Sequence, residues 1–334
     1  MKRRQKRTLL IVLLVLAGAA IAAVVFLGMR KAFTYEEPVI ENAGQAVHAA
    51  PAPVRTPQPG SQGLDKTINI LMIGIDNNSS STPDARGNAD GIMLATINPH
   101  TQQIVFTSFL RDTRVRVQDS YYDKLTNVYH TGDVALLRET LEKNFEVPID
   151  YYAIFDYENV VEIVDAVGGV EMELSMEEIY YMDAKIKDIC VLVGADYAEN
   201  ALNVDQAGKI KLNGIQAAAY VRIRPNEGGY DVGRTERGRN VIAAVLGKAF
   251  RLGSSDLLNF ANVFYKKLET DIPDSVFLEL GMNASAIRKY KQIEDRIPID
   301  GSYESGNTGS GYYVIPDFEV NNKHLQESLF EGKH

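Results

Sequence analysis

The longest unbroken apolar stretch of the chain is residues 8–29, TLLIVLLVLAGAAIAAVVFLGM, which holds no charged side chain. As a helix rising about 1.5 Å per residue, it is long enough for a hydrocarbon core of about 30 Å. Five basic residues precede it. The positive-inside rule therefore predicts a cytoplasmic N-terminus and places everything after Met29 outside. Ala20-Ile21-Ala22 offers a small-x-small cleavage site, but the run exceeds the roughly 7–15 residues of a secretory signal core, which favours an uncleaved anchor. Residues 30–66 follow with no sustained period, and five of the twelve prolines fall there among many Ala, Gln, Gly and Ser. They read as a disordered linker that spans roughly 30–35 Å as a flexible coil.

Beyond the linker the pattern changes. Residues 68–76 (INILMIGID) form a nearly continuous apolar run, as expected of a strand covered on both faces. Residues 92–98 and 103–110 predict two more strands, joined through Asn98-Pro99-His100-Thr101 as a hairpin. An amphipathic helix is predicted at 134–145, a strand at 151–156 and a helix at 157–167. Gly168-Gly169 then turns the chain into a strand at 170–174. Further helices are predicted at 214–220, 235–250, 257–267 and 275–286, before a strand at 312–315 and a closing helix. This alternation predicts an α/β domain, a mixed central β-sheet sandwiched between helices (α/β/α), preceded by one N-terminal transmembrane helix. The expected organisation is a basic cytoplasmic tail (1–7), a transmembrane anchor (8–29), the linker (30–66) and one extracytoplasmic domain (67–334).

Charge narrows the partners. The formal net charge is -9, yet seven of the 35 basic residues and no acid lie in residues 1–31, so 28 bases face 44 acids in the remainder. A body that acidic is a poor nucleic-acid binder, because Lys and Arg contacts to phosphate supply most of that affinity. A single cysteine, Cys190, excludes an internal disulfide and a Cys-based metal site; it reads as a small buried hydrophobe. The five histidines show no metal-ligand spacing, and no Walker loop, nucleophile elbow or dinucleotide fingerprint is present.

One local exception stands out against this background. Every basic residue between Lys211 and Lys248 is an arginine: Arg222, Arg224, Arg234, Arg237 and Arg239. Arginine presents a planar fork that grips phosphate or carboxylate oxygens in fixed geometry. Arg222 and Arg224 would share one face of an extended segment, and Arg234 and Arg237 one face of a helix. Cations in a first helical turn oppose the dipole, and a bound anion would reverse that penalty. Pairing with Glu227, Asp231 and Glu236 is the alternative reading. Asp76 ends the first predicted strand and Asp90 precedes the second, so both carboxylates can lie at one sheet edge, where ligands of open α/β sheets bind. Two carboxylates with substrate phosphates suit magnesium; each aspartate alone can also simply cap a loop. Arg111-Asp112 follows the third strand and can point to the same edge.

Taken as an ordered set, these segments resemble the LytR–CpsA–Psr family. The resemblance runs through Asn69 to Asp76, Ala89-Asp90, Thr107-Ser108-Phe109-Leu110-Arg111-Asp112 and Asp123-Lys124-Leu125-Thr126-Asn127. It continues through Ile149-Asp150-Tyr151-Tyr152, Val164 to Val170 and Leu212-Asn213-Gly214. It ends at Val221-Arg222-Ile223-Arg224 and Gly233-Arg234-Thr235-Glu236-Arg237. The resemblance implies a bacterial cell-membrane protein with a single pass and an extracytoplasmic catalytic domain. The implied activity transfers a glycopolymer, teichoic acid or capsule, from undecaprenyl pyrophosphate to a peptidoglycan sugar hydroxyl, with a pyrophosphatase side activity. It implies an apolar pocket for the polyprenyl chain, and magnesium (manganese as a substitute) held by Asp76 and Asp90. Arg111, Arg222, Arg224, Arg234 and Arg237 would line the pyrophosphate, with Arg86 nearby. Asp112 and Asp231 are the candidates for the proton acceptor, since each neighbours a motif arginine. The implied partners are the lipid-linked glycopolymer, peptidoglycan and the membrane, with no nucleic acid. Three departures accompany it: Asn88-Ala89 stands where an arginine often precedes the second aspartate, Leu110 replaces a proline, and Gly238 replaces a glutamine. A non-catalytic polyprenyl-pyrophosphate receptor and an envelope-linked transcriptional regulator remain as alternatives.

Overall fold

The structure, a computed structural model, describes residues 64–76, 87–203, 207–224, 232–249, 251–252, 260, 263, 268–308 and 311–333. The chain divides into two units, Met1–Arg55 and Thr56–His334, and all described residues belong to the second. The expected anchor at 8–29 and most of the helix expected at 257–267 lie outside the described residues. Among the described residues no helix is long and apolar enough to cross a membrane.

Six strands form the central sheet in the order β10-β3-β2-β1-β6-β9. Strand β1 (Ile68–Asp76) pairs antiparallel with β2 (Asn88–Asn98) and parallel with β6 (Tyr151–Phe155). Strand β3 (Gln103–Phe109) lies antiparallel to β2 and parallel to β10 (Lys291–Ile297), and β9 (Glu269–Thr270) closes the far edge. The β2–β3 turn is set by Asn98, whose Oδ1 accepts from the amides of His100 (2.9 Å) and Thr101 (3.2 Å). Asn and Asp favour such turns because the side chain substitutes for a backbone acceptor.

Alternation along the strands divides the apolar residues between two faces. On one face Leu71, Ile73, Ile92, Leu94, Val105 and Phe109 pack with Leu137, Leu141 and Phe145 of α1 (Leu125–Phe145). Phe145 is fully buried with its ring 4.9 Å from that of Phe109, so Phe145→Ala would cost about 3–5 kcal/mol. On the other face Ile68, Met93, Ala95, Ile104 and Phe106 pack with Val276 and Ile287 of α7 (Asp274–Ile287). Leu64 is buried in that same cluster, so packing starts three residues ahead of the expected boundary at 67.

A third cluster joins helices α2 (Tyr157–Ala166), α3 (Met176–Val193), α5 (Gly214–Arg222) and α6 (Val232–Ala249) with the hairpin β7 (Val170–Leu174) and β8 (Gly208–Leu212). Between α3 and β8 lies the short α4 (Tyr197–Asn200). Glycine is required at the start of α5: a Cβ on Gly214 would stand 2.1 Å from the carbonyl oxygen of Val161. Hairpin β4 (Arg114–Val117) and β5 (Tyr121–Lys124) precedes α1; hairpin β11 (Tyr303–Thr308) and β12 (Gly311–Pro316) precedes α8 (Phe318–Gln326).

The strands β4, β5, β8, β9, β10 and β11 add to the expected elements, and three further differences have identifiable reasons. Helix α1 begins at Leu125 rather than 134, because the non-helical residues Gly132 and Asp133 break one apolar pattern into two. Helix α3 was not expected, although Ser175 and Glu178 form a capping box at its start. Arg222 ends a helix instead of lying in an extended run, so it does not share a strand face with Arg224.

Candidate functional site

The β1–β2 ladder contains one irregularity. Gly74 pairs with Gly91 and Ile75 with Ala89, so Asp90 has no partner across the ladder and forms a bulge. Bulges re-aim a side chain, often beside functional sites. The Asp90 side chain is 14% exposed, and its Oδ1 accepts from Arg111 Nη1 at 2.6 Å. Its Oδ2 lies 3.9 Å from Arg224 Nη2. Asp76 ends β1 opposite Asn88, at the same edge of the sheet. Asp90 is thus hydrogen-bonded to Arg111 and within ion-pair range of Arg224, with the Asp76 backbone alongside.

Arg111 is held in place through its backbone. The amide of Leu110 donates to Ile297 O (2.9 Å), Thr113 N to Leu110 O (3.0 Å) and Thr126 N to Arg111 O (3.0 Å). The strand end is thus tied to β10 on one side and to the start of α1 on the other. Asp112 accepts from Lys124 Nζ at 2.8 Å, lies 3.8 Å from Arg111 Nε, and its backbone oxygen accepts from Val314 N. Lys124 in turn stands 5.3 Å from the centre of the Tyr313 ring. These contacts fix the Asp112 carboxylate beside Arg111, with Lys124 on its other side.

The arginine cluster divides. Helix α5 is started by a capping box between Asn213 and Gln216, and Ile223 caps its end in an extended conformation with its side chain fully buried. That turn sends Arg222 over the Tyr157 ring at 4.4 Å, and Arg224 towards Asp90. Arg237 is buried in α6; its Nη2 donates to Ile223 O at 2.8 Å and its Nη1 lies 3.9 Å from Glu178. This guanidinium fastens the very turn that separates Arg222 from Arg224. Arg239 faces Glu294 at 3.7 Å, and burial pushes its guanidinium below the ordinary arginine range, partly opposed by that glutamate. The acids in ion-pair range of these arginines come from other elements (Asp90, Glu178, Glu294). Of the expected local partners, Glu236 acts on Arg239 from the same helix, while Glu227 and Asp231 lie outside the described residues, as does Arg86. Arg234 stands in the first turn of α6 by its backbone.

Two side chains at the site carried no role in the sequence reading. Lys124 sits inside a noted motif, and a lysine between two aspartate-bearing segments was the available signal. Tyr157, beneath Arg222, gave none. Elsewhere, a cavity of about 300 Å³ is lined by Asp165, Gly169, Lys211, Asn213 and Gln216, and none of the arginines lines it. Its polar groups serve the fold: Asp165 accepts from Gly214 N, and Gln216 donates to Asn200 O.

Among the described residues no group of three His, Cys, Asp or Glu side chains is placed to hold a metal. A magnesium ion needs fewer, since it keeps waters and takes one or two carboxylates with substrate phosphates. Asp90, a hard oxygen donor at the sheet edge beside the Asp76 backbone, fits that chemistry.

Comparison with known proteins places this geometry. The chain is 28% identical over 269 residues to Biofilm regulatory protein A of Streptococcus mutans, covering 77% of this chain and 62% of that protein's length. It is 30% identical over 254 residues to a polyisoprenyl-teichoic acid–peptidoglycan teichoic acid transferase TagU of Bacillus cereus, covering 75% of this chain and 74% of the relative. The fold matches a solved LytR-CPS2A-psr family protein, YwtF (TagT), with bound octaprenyl pyrophosphate lipid, at TM-score 0.56 and 21% identity over 81% of this chain and 93% of that one. The LytR_cpsA_psr family model matches residues 37–328, and with that span of the chain inside it, this protein belongs to the LytR–CpsA–Psr family.

Proposed function

We propose that this protein is a membrane-anchored, magnesium-dependent phosphotransferase that moves a glycopolymer from a polyprenyl pyrophosphate carrier to a sugar hydroxyl of peptidoglycan. The observation that carries the reading is the bulged Asp90 set between Arg111 and Arg224 at the edge of the sheet. Relatives named as teichoic acid transferases and a fold neighbour holding octaprenyl pyrophosphate support it. A further support comes from the sheet: Ile70 and Met72, on an inner strand, are only partly buried, as are Ile242, Leu246, Phe277 and Leu280, which pack against the same cluster. Half-covered apolar side chains in the middle of a sheet suit a polyprenyl tail.

In the reaction the acceptor hydroxyl oxygen forms a bond to the sugar-linked phosphorus, and the bond from that phosphorus to the bridging oxygen breaks. Polyprenyl phosphate leaves with the electron pair, and the hydroxyl proton passes to solvent or a base. Such transfers depend mainly on positioning and charge neutralisation. Arg111, fixed by its backbone ties, presents a guanidinium to the developing charge, and Arg224 reaches the same carboxylate from the opposite segment. Arg237 acts through the Ile223 turn that aims Arg224. Lys124 fixes the Asp112 carboxylate beside Arg111. Asp90 and Asp76 would hold magnesium, which neutralises charge on the pyrophosphate.

The test uses the full chain in lipid nanodiscs with magnesium, a lipid-pyrophosphate-linked oligosaccharide and peptidoglycan fragments, read by mass spectrometry. A phosphodiester-linked product that requires both magnesium and Asp76 supports the reading, with Asp76→Ala as control. Tight lipid binding without product would instead favour a receptor, a second reading that rests on the missing side chain at Gly238.

A further inference from the structure

Most exposed large apolar side chains among the described residues stand singly, but two pairs lie one helical turn apart. Leu278 and Met282 on α7 are 56% and 62% exposed, and Met176 and Tyr180 on α3 are 56% and 70% exposed. Residues four apart lie on one helix face, so each pair forms a patch. Charge separates the two. The α3 patch sits among Glu177, Glu178 and Asp183. The α7 patch leads into Arg288, Lys289 and Lys291, all exposed and in no ion pair with a described residue. The acids of α7, Asp274 and Glu279, lie in its first half, and Glu279 helps raise the pKa of the Tyr151 phenol after burial, Asp150 and Asp271.

The position of α7 matters as much as its composition. Its inner face, Val276 and Ile287, shares a cluster with Leu64, the first described residue. The described chain therefore begins on the α7 side of the sheet, within the reach of the linker expected from the sequence. A linker of that kind keeps its domain within roughly 30–35 Å of the anchor. An apolar stripe with adjoining Lys and Arg is the composition that rests in the headgroup region of anionic bilayers.

We propose that the outward face of α7, Leu278 and Met282 with Arg288, Lys289 and Lys291, lies on the anionic surface of the membrane that anchors the chain. The proposal rests on the anchoring put forward under the proposed function. It gives the domain one orientation, with the α7 side of the sheet, where Ile70 and Met72 are partly buried, turned to the bilayer. A polyprenyl chain could then pass from lipid to protein without crossing water.

The experiment places an environment-sensitive fluorophore at Met282→Cys in the full chain, incorporated into nanodiscs rich in phosphatidylglycerol that carry a lipid-attached quencher. Val191→Cys, 85% exposed on α3, is the reference position. The native Cys190 is buried with its thiol pushed up by burial, so it stays unlabelled in the folded protein. The expected result is quenching at 282 at least about threefold that at 191, falling in zwitterionic discs, at high salt and in Arg288→Glu/Lys289→Glu/Lys291→Glu. Equal, weak quenching at both positions in disc-bound protein overturns the proposal while leaving the anchor intact. A probe at 282 that responds to a second chain per disc and not to the quencher overturns it in favour of self-contact. A chain that does not enter discs at all removes the anchoring reading and this proposal together.

Discussion

Gly238 offers the sharpest test of how the site departs from its family. The perturbation is Gly238→Gln. The position lies inside helix α6, and a Cβ built there meets no atom within 4 Å, so the larger side chain has room. Glycine in a helix interior costs about 0.5–1 kcal/mol relative to a good helix former, and glutamine is one. In a domain of this size that gain raises Tm by roughly 1–4 °C. Position 238 also lies one turn beyond Arg234 on the same helix face. A hydrogen bond to a charged group contributes about 1.5–3 kcal/mol, so a new amide donor on the pyrophosphate would increase transfer about 10-fold to 100-fold. Thermal unfolding followed by circular dichroism reads the first effect, and initial rates of phosphodiester formation read the second. A fall in Tm of several degrees would show that the space is not open. A raised Tm with unchanged transfer would remove position 238 from the pyrophosphate altogether.

Other outcomes follow from the same geometry. Arg111→Ala should cut transfer at least about 100-fold in a folded chain, and Arg111→Lys should not restore it, because a point charge cannot reproduce the fork; wild-type turnover in either variant would exclude Arg111 from the site. Arg237→Met should leave Ile223 O without its donor and lower stability by about 1–3 kcal/mol in urea unfolding, and an unchanged midpoint would show that the turn holds without it. The Lys187 ammonium, and next the Tyr197 hydroxyl, hold the Asp183 carboxyl below its ordinary range. Its contribution is therefore present above the unfolded pKa of about 3.9 and lost as pH falls through the lower folded value. Asp183→Asn should cost under about 1 kcal/mol at pH 7, since the pair is over a third exposed, with the difference closing below about pH 4. A cost that persists at pH 2 would mean packing, not charge, is what the substitution removed.

Much of this fold is written in local pattern. The run from Ile68 to Ile75 is apolar at nearly every position because both faces of β1 are covered, and Asn98 sets the hairpin within four residues. The strand-to-helix step at Asp156 and Tyr157 was equally plain, since a capping box marks it. The same signal stands at Ser175, with apolar Ile179, Met182, Ile186 and Ile189 spaced for one buried face. Other features depend on distant partners. Arg222 reads as extended because Val221 and Ile223 are β-branched, yet packing of Ala217, Ala218 and Ala219 against neighbouring helices prolongs the helix through it. The direction of Arg237 depends on a carbonyl fourteen residues away and on Glu178, which no spacing could reveal. That Asp90 is the bulged residue follows only from the register of two strands.

That register has a genetic consequence. The pairs from Ile68↔Ile97 to Gly74↔Gly91 are continuous without Asp90, and Ile75↔Ala89 and Asp76↔Asn88 resume beyond it. Loss of the single codon for Asp90 would therefore straighten the ladder and leave every apolar side chain on its present face. An inserted codon between Ile92 and Ile97 would turn half the strand inside out. The acid and the architecture of this sheet are thus separately erasable, and a lineage can shed Asp90 by one in-frame deletion while keeping the register that folds the sheet.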